Sequence, residues 1–271
     1  MPISEANDMN KIMFNKSQLQ YIAITAMVID HISYFVPMPA YYVCRFVGRI
    51  TIVIMSYFVA EGYYRTHDLD KYIMRMGIFA AISQVPFYLF EQGTQLPHDL
   101  YHILIGLYFG RNVMFTLFLG LCLLTILKSE YNICWKLLAV FAAWKLARHS
   151  DWGWFCLMWV CAFGLLHGNT KGQMCAAGAI VFLRVINCMI PVISLFVNNL
   201  SPDVDIVALL VAVVDYSRIT FIFALAQFGG LLAIPLLKRY NGERGNAPRM
   251  LFYIFYPAHL ILLFIAKLIF A

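Results

Sequence analysis

The sequence contains few charged residues for its length. Asp, Glu, Lys and Arg make up 13% of its 271 residues, about half of the ~25% that is usual in soluble domains. Apolar residues, counted with tyrosine and cysteine, reach 62%, whereas soluble domains have roughly 45–50% on a comparable set. So much apolar surface cannot be hidden from water in a molecule of this size, and lipid must cover part of it. The composition excludes a disordered chain and a free cytosolic enzyme.

Paired cysteines and common catalytic motifs are also missing. The seven cysteines are odd in number, contain no C-x-x-C pair and lie in or beside apolar runs, where a thiol acts as a small hydrophobic group. The sequence has no G-x-S-x-G, H-E-x-x-H or Walker-type loop. These absences predict no disulfide scaffold, no metal site and no nucleotide hydrolysis.

The apolar residues are concentrated in long runs. Stretches of about 17–25 residues cross ~30 Å of hydrocarbon as helices, so the runs predict an all-α, polytopic membrane protein with about nine spans. The predicted spans lie near 18–36, 45–64, 72–90, 112–127, 133–147, 152–167, 172–198, 219–237 and 250–270. Residues 204–218 are interpreted as an interfacial or re-entrant piece. No repeat or long linker divides the chain, and residues 1–271 are expected to form a single domain.

The basic residues indicate orientation rather than nucleic-acid binding. The net charge is +6, but Lys and Arg lie in short connectors instead of along one helical stripe, which excludes nucleic acid as the expected partner. Twelve of them lie in connectors on the side of the N-terminus and seven on the other side. Cytoplasmic connectors carry the excess of positive charge, so the N-terminus is predicted to be cytoplasmic.

Ionisable residues inside the spans point to a functional site, because a charge in lipid is costly unless it is paired or hydrated. Asp30 and His31 lie roughly 8–9 Å below the outer end of the first span, and Arg49 lies roughly 6 Å below that of the second. Neighbours on a helix point ~100° apart. Asp30 is therefore expected to pair with Arg49 or Arg45, while His31 faces a cavity. A purely structural ion pair is the alternative.

A second histidine lies at a similar depth. His259 is some 14 Å from the inner edge and His31 ~20 Å from it, so both can line one cavity. Histidine is suited to take a proton from an amine or hydroxyl near neutral pH. The ionisable residues predicted inside the spans favour a reaction that needs a base, an orienting carboxylate and cationic stabilisation. His31, Asp30, Arg49 and His259 are the candidate catalytic residues.

Further polar residues are candidates for binding substrates. Basic residues at the inner span ends are expected either to hold the phosphates of a nucleotide-bearing donor or to anchor the spans; they are Arg65, Lys71, Arg75, Lys238 and Arg239. The other candidates for substrate binding are Arg45, Glu61, Gln84, Arg148 and Asp151, of which Arg148 and Asp151 belong to an outer turn that could orient an extracytoplasmic acceptor. For Glu61 the alternative is a helix-end ion pair with Arg65, and for Arg148 and Asp151 it is a simple tight turn.

Motifs along almost the whole chain resemble those of the TraX family. They are Leu19-Gln20, Asp30-His31, Gly48-Arg49, Glu61-Gly62-Tyr63 with Thr66, Lys71-Tyr72, Ser83-Gln84-Val85-Pro86-Phe87, Asn112-Val113, Phe115-Thr116-Leu117, Asp151-Trp152-Gly153 and Phe255-Tyr256-Pro257-Ala258-His259-Leu260. Members of this family are polytopic membrane proteins named for acetylation of conjugal-transfer pilin.

The resemblance implies a membrane-bound acyltransferase in the inner or plasma membrane of a bacterial cell. It implies acetyl-coenzyme A as co-substrate and a membrane-associated or extracytoplasmic peptide, glycan or small molecule as acceptor, such as the N-terminus of a pilin-like peptide. Membrane lipids are the other expected partner. A transporter or flippase, and a non-enzymatic subunit of a secretion or pilus assembly, are the alternatives that the residues leave open.

Overall fold

The computed structural model describes residues 13–92, 111–198 and 206–270, and these are largely helical. In chain order the helices are α1 (Lys16–Ile32), α2 (Ala40–Gly48), α3 (Ile50–Arg65), α4 (Leu69–Ile82), α5 (Gln84–Gln92), α6 (Val113–Lys128), α7 (Ile133–Ala147), α8 (Gly153–Leu165), α9 (Thr170–Asn198), α10 (Ile206–Ala226), α11 (Ala233–Lys238) and α12 (Leu251–Phe270). Within the described ranges there are two isolated β-bridges and no strand. The all-α prediction is confirmed.

Five helical segments among the described residues are long and apolar enough to cross a membrane. They are Ala40–Arg65, Leu69–Gln92, Thr170–Leu195, Tyr216–Lys238 and Leu251–Ile269. Helices α1, α6, α7 and α8 have 17, 16, 15 and 13 residues, less than the ~20 that a perpendicular span needs. The predicted number of nine spans is not confirmed, but the apolar helices indicate a membrane protein.

The structure divides the predicted third span, 72–90, into two helices. Helix α4 ends at Ile82 and α5 begins at Gln84. Pro86 falls in the first turn of α5, where a backbone N–H has no partner within the helix. Proline is therefore tolerated there, whereas a continuous helix through Pro86 would lose a hydrogen bond.

Residues 206–218 of the piece predicted at 204–218 belong to a longer helix. From Ile206 the chain continues as one helix to Ala226, so 206–218 is not a separate re-entrant piece from the span that follows. The polar run from Asp215 to Arg218 suggested a boundary. It contains neither proline nor glycine, and polarity alone costs a helix only a few tenths of a kcal/mol per residue.

Helices α3, α6 and α8 pack against one another at the centre, while α1 and α12 flank them. Leu19, Ile54, Leu117, Trp159 and Tyr256 are at most 2% exposed and belong to one core cluster. The C-terminal end of α1, with Asp30 and His31, lies beside Arg49 at the start of α3 and beside His259 in α12.

Charged connectors gather at the two ends of α3. At its C-terminal end, Arg65 donates from Nη1 to the carbonyl oxygen of Gly242 at 2.8 Å. At its N-terminal end, the backbone N–H of Asp151 donates to the carbonyl oxygen of Arg111 at 2.7 Å. The connectors that the charge count assigns to one side thus contact each other.

Cysteine labelling tests the predicted orientation. Glu243 and His149 are exposed in connectors at the two ends of α3. Each cysteine is introduced into a cysteine-free variant of the protein. In intact cells, a membrane-impermeant maleimide is expected to label His149→Cys and not Glu243→Cys. Permeabilised cells, in which both positions react, are the control. Labelling of Glu243→Cys from outside would reverse the orientation.

Candidate functional site

An ion cluster on Asp30 forms the outer part of the site. Arg45 Nη1 donates to Asp30 Oδ2 and Arg49 Nη2 donates to Asp30 Oδ1, each at 2.9 Å. The predicted pairing of Asp30 with Arg49 is confirmed, and Arg45 joins the cluster instead of replacing Arg49. Because two guanidinium groups share one carboxylate, the cluster retains a positive charge.

Gly48 allows this cluster to form. A Cβ atom at Gly48 would overlap with the carboxylate of Asp30, so α2 can approach α1 closely only with glycine here. Arg49 is held from two further directions: Nε donates to the carbonyl oxygen of Arg45 at 2.9 Å, and its guanidinium carbon lies 4.5 Å from the ring centroid of Trp152. The Gly48-Arg49 motif therefore has a steric and electrostatic basis.

The two candidate histidines contact each other. The ring centroids of His31 and His259 are 5.0 Å apart in an edge-on arrangement. His31 Nδ1 lies 2.8 Å from the carbonyl oxygen of Met27, and His259 Nδ1 lies 3.1 Å from that of Phe255. Since a carbonyl only accepts, we assign the proton of each neutral ring to Nδ1. Each Nε2 then carries a free lone pair.

His31 lies where two cavities meet. An outer cavity of about 80 Å³ and a smaller one of about 30 Å³, here called the junction, share Asp30, His31, Asp151 and Trp152 as lining residues. Arg45 and Arg49 also line the outer cavity. His259 is 4% exposed and lines neither of these cavities, so it lies behind His31.

A third and much larger cavity, here called the basic cavity, opens at the C-terminal end of α3. Its volume is about 810 Å³, within the ~300–1,000 Å³ of ligand pockets. Its cationic lining residues are Lys16, Arg65, Lys71, Arg75, Arg244 and Arg249. Asp68 is the one carboxylate among its lining residues. Its pKa is lowered by hydrogen bonds from the backbone and side chain of Lys71.

The structure separates the five predicted donor-binding residues into two groups. Arg65, Lys71 and Arg75 line the basic cavity, and the guanidinium carbon of Arg75 lies 5.6 Å and 5.5 Å from the rings of Tyr72 and Tyr253. Lys238 and Arg239 do not line it. Lys238 is the last residue of α11 and Arg239 follows it, where the connector turns towards the N-terminal segment.

Glu61 holds the connector that closes the basic cavity. Its carboxylate pairs with Arg65 Nε at 3.0 Å and accepts from the hydroxyl of Tyr240 at 3.2 Å. Burial, followed by the charge of Glu61, raises the pKa of Tyr240, so the hydroxyl remains a donor at neutral pH. Glu61 is 5% exposed and absent from the cavity lining. This geometry fits the helix-end ion pair better than direct substrate binding.

The remaining predicted residues are spread over the outer half of the molecule. Gln84 accepts from Asn112 Nδ2 at 2.7 Å, which fixes the start of α6. Arg148 is exposed at the end of α7 and lines none of the three cavities, whereas Asp151 lines both the junction and the outer cavity. The described residues contain no group of three or more metal ligands.

Several residues at the site escaped the sequence analysis. Lys16, Arg244 and Arg249 join the basic cavity, and Tyr256 lines the junction. Tyr256 was within reach, since it lies in the motif that contains His259. The three basic residues were counted only as topology signals, because nothing local in the sequence shows that their connectors meet.

Comparisons with known proteins agree with the motif resemblance. A family model described as "TraX protein" matches residues 15–267. The probable fimbrial assembly protein FimC, serogroup H1, from Dichelobacter nodosus is 30% identical over 267 residues, which cover 95% of this chain and 97% of that protein. No solved structure matches the chain.

Proposed function

This chain belongs to the TraX family, and on that premise we propose that it is an inner-membrane acyltransferase. In this proposal, it transfers an acetyl group from acetyl-coenzyme A at the cytoplasmic face to an amine or hydroxyl that enters from the opposite face. The relative's name, fimbrial assembly protein, supports a pilin-like peptide as the acceptor.

The adjacency of the three cavities is the observation that carries the proposal. The basic cavity and the junction share Met55, Leu117 and Phe252 as lining residues, and the junction and the outer cavity share His31. The basic cavity, the junction with His31 and the outer cavity therefore follow one another from the C-terminal end of α3 to its N-terminal end. This arrangement suits a donor and an acceptor that approach from opposite sides.

The basic cavity fits a coenzyme A thioester by charge and by size. Coenzyme A carries three phosphate groups, and charge-assisted hydrogen bonds from Arg and Lys are the strong contacts for such groups. Six cations line the cavity with one carboxylate. Acetyl-coenzyme A supplies an acetyl carbonyl that forms a bond to the acceptor as the carbon–sulfur bond breaks. The chain's residues bind, orient and move protons.

His31 is suited to act as the base. Its Nδ1–H is engaged by Met27, which leaves the Nε2 lone pair to take the proton of an acceptor amine or hydroxyl at the junction. Asp30 contacts the arginines rather than the ring, so it orients the outer cavity. His259 supports the His31 ring from behind and acts as a positioning residue.

Tyr256 is the better candidate for stabilising developing negative charge. Arg49 lines the outer cavity and not the junction, and neutral His259 has no proton on Nε2. The hydroxyl of Tyr256 accepts from the backbone N–H of Val113 at 3.4 Å, and its own proton is available at the junction. A buried hydroxyl aimed at the reacting carbonyl provides this kind of stabilisation.

Coenzyme A binding to the purified protein should depend on Arg75. A hydrogen bond to a charged group contributes about 1.5–3 kcal/mol, so Arg75→Gln is expected to weaken binding roughly tenfold or more in titration calorimetry. Lys238→Gln is the matched control, because Lys238 lies outside the cavity. Equal losses in both variants would mean that general charge, and not this cavity, binds the donor.

Acetyl incorporation tests the function itself. Membranes from a strain that lacks the gene are complemented with either the wild-type chain or an empty vector, and both receive acetyl-labelled acetyl-coenzyme A. Label is expected in a membrane or surface acceptor only with the wild-type chain. Equal labelling without the chain would contradict the enzyme and favour a transporter or assembly subunit.

A further inference from the structure

Three apolar side chains separate the basic cavity from the junction. Met55 on α3, Leu117 on α6 and Phe252 on α12 are the residues that line both spaces. They are 8%, 1% and 7% exposed, and all belong to the main core cluster. We refer to these three residues as the collar. These side chains form the wall that the two cavities share, so a group that moves directly from the basic cavity into the junction would displace them or pass between them.

The spaces on the two sides of the collar differ greatly in size. The basic cavity has about 810 Å³ and the junction about 30 Å³. A cavity needs roughly 10–15 Å³ of such volume to hold one water molecule, so the junction has room for about two waters, or for a group of two or three heavy atoms. A donor with a large headgroup thus fits on one side, while only a very small group fits on the other.

We propose that the collar limits the transferred acyl group to two or three carbons, so that Met55, Leu117 and Phe252 determine acyl-chain specificity. This inference rests on the proposed acyltransferase function and adds the residues that would set its acyl-chain limit. The acyl carbonyl must reach Nε2 of His31, and each further methylene must then find room in the junction. A longer chain either displaces packed side chains or leaves its carbonyl on the far side of the collar.

Core packing makes this limit strict. Interiors are packed to the density of organic crystals, so an extra methylene forces neighbouring side chains out of their rotamers. One methylene in an apolar pocket changes kcat/KM by about 10- to 200-fold. Butyryl-coenzyme A has two more methylenes than acetyl-coenzyme A. The wild-type protein is therefore expected to prefer the acetyl donor by about 100-fold or more.

Shortening one collar residue should relax the limit. In Leu117→Ala the ratio of acetyl to butyryl transfer is expected to fall by about tenfold or more, because truncation of a packed leucine can leave a cavity on the order of 100 Å³. Leu121→Ala is the matched control. Leu121 lies one turn further along α6, is 0% exposed and lines none of the three cavities, so this variant should keep wild-type specificity.

The measurement uses labelled acetyl- and butyryl-coenzyme A with membranes of the complemented deletion strain, normalised to inserted protein. Met55→Ala, which opens the collar from α3, replaces Leu117→Ala if that variant does not insert. The collar would not determine acyl-chain specificity if its variants kept the wild-type ratio of acetyl to butyryl transfer. The same conclusion would follow if Leu121→Ala lowered this ratio as much as they do. Equal use of both donors by the wild-type protein would overturn the acyl-chain limit and leave acyl transfer intact. Transfer of neither group by the wild-type protein would overturn the proposed function and the collar together.

Discussion

The His31→Ala variant should fold and insert but lose acetyl transfer by about 10²–10⁴-fold, the usual loss for a general base. The fold should tolerate loss of this side chain, because its hydrogen bond is to the carbonyl oxygen of Met27 in its own helix. Among the aromatic rings of the described residues, its ring contacts only those of Phe90 and His259. What disappears is the Nε2 lone pair where the cavities meet. The assay is labelled acetyl transfer per inserted protein.

Two other histidines are controls for this variant. His259→Ala should lose less activity, since His259 lines neither the junction nor the outer cavity. His167 stacks on Tyr64, at 3.8 Å between ring centroids, in the connector after α8, and His167→Ala should transfer acetyl at the wild-type rate. Wild-type turnover in His31→Ala would rule out the assigned base while leaving the fold unaffected.

The largest effect on stability is expected at Asp30. Removing one partner of a buried ion pair strands the other charge and costs roughly 3–5 kcal/mol. Asp30→Ala strands both Arg45 and Arg49, whereas Arg49→Met leaves Asp30 paired with Arg45. Asp30→Ala is therefore expected to lower the thermal stability in detergent much more than Arg49→Met does.

A triple variant separates structure from function at this cluster. Asp30→Leu with Arg45→Met and Arg49→Met replaces all three charges by apolar groups, which can be nearly neutral for stability. We expect the stability to recover and acetyl transfer to remain lost. Full activity of the triple variant would show that the cluster is only structural. Strictly additive stability losses would show that the three side chains do not act together.

Local features of the sequence determine much of the helical structure. Asn112 and Asn132 accept from the backbone N–H groups of Phe115 and Trp135 at the starts of α6 and α7, as capping residues do. The apolar runs marked the same regions as spans. The spacing of Asp30 and Arg49 from the span ends was enough to predict their pairing, because helical rise converts sequence distance directly into depth.

The shape of the site could not be predicted in the same way. The collar combines Met55, Leu117 and Phe252, which are apolar residues in apolar runs and look like any core residue. Arg249 and Arg75 line one cavity because Tyr253, near the start of α12, contacts Arg75 and Phe79 of α4. Such contacts depend on the arrangement of helices, which periodicity and charge counts do not determine.

A structure of the purified protein with coenzyme A would show where the donor binds. We expect density for the phosphates beside Arg75 and Arg249 in the basic cavity, and the thiol at the collar of Met55, Leu117 and Phe252, directed towards His31. Coenzyme A bound at another surface, or its absence at a saturating concentration, would contradict the proposed path for acyl transfer.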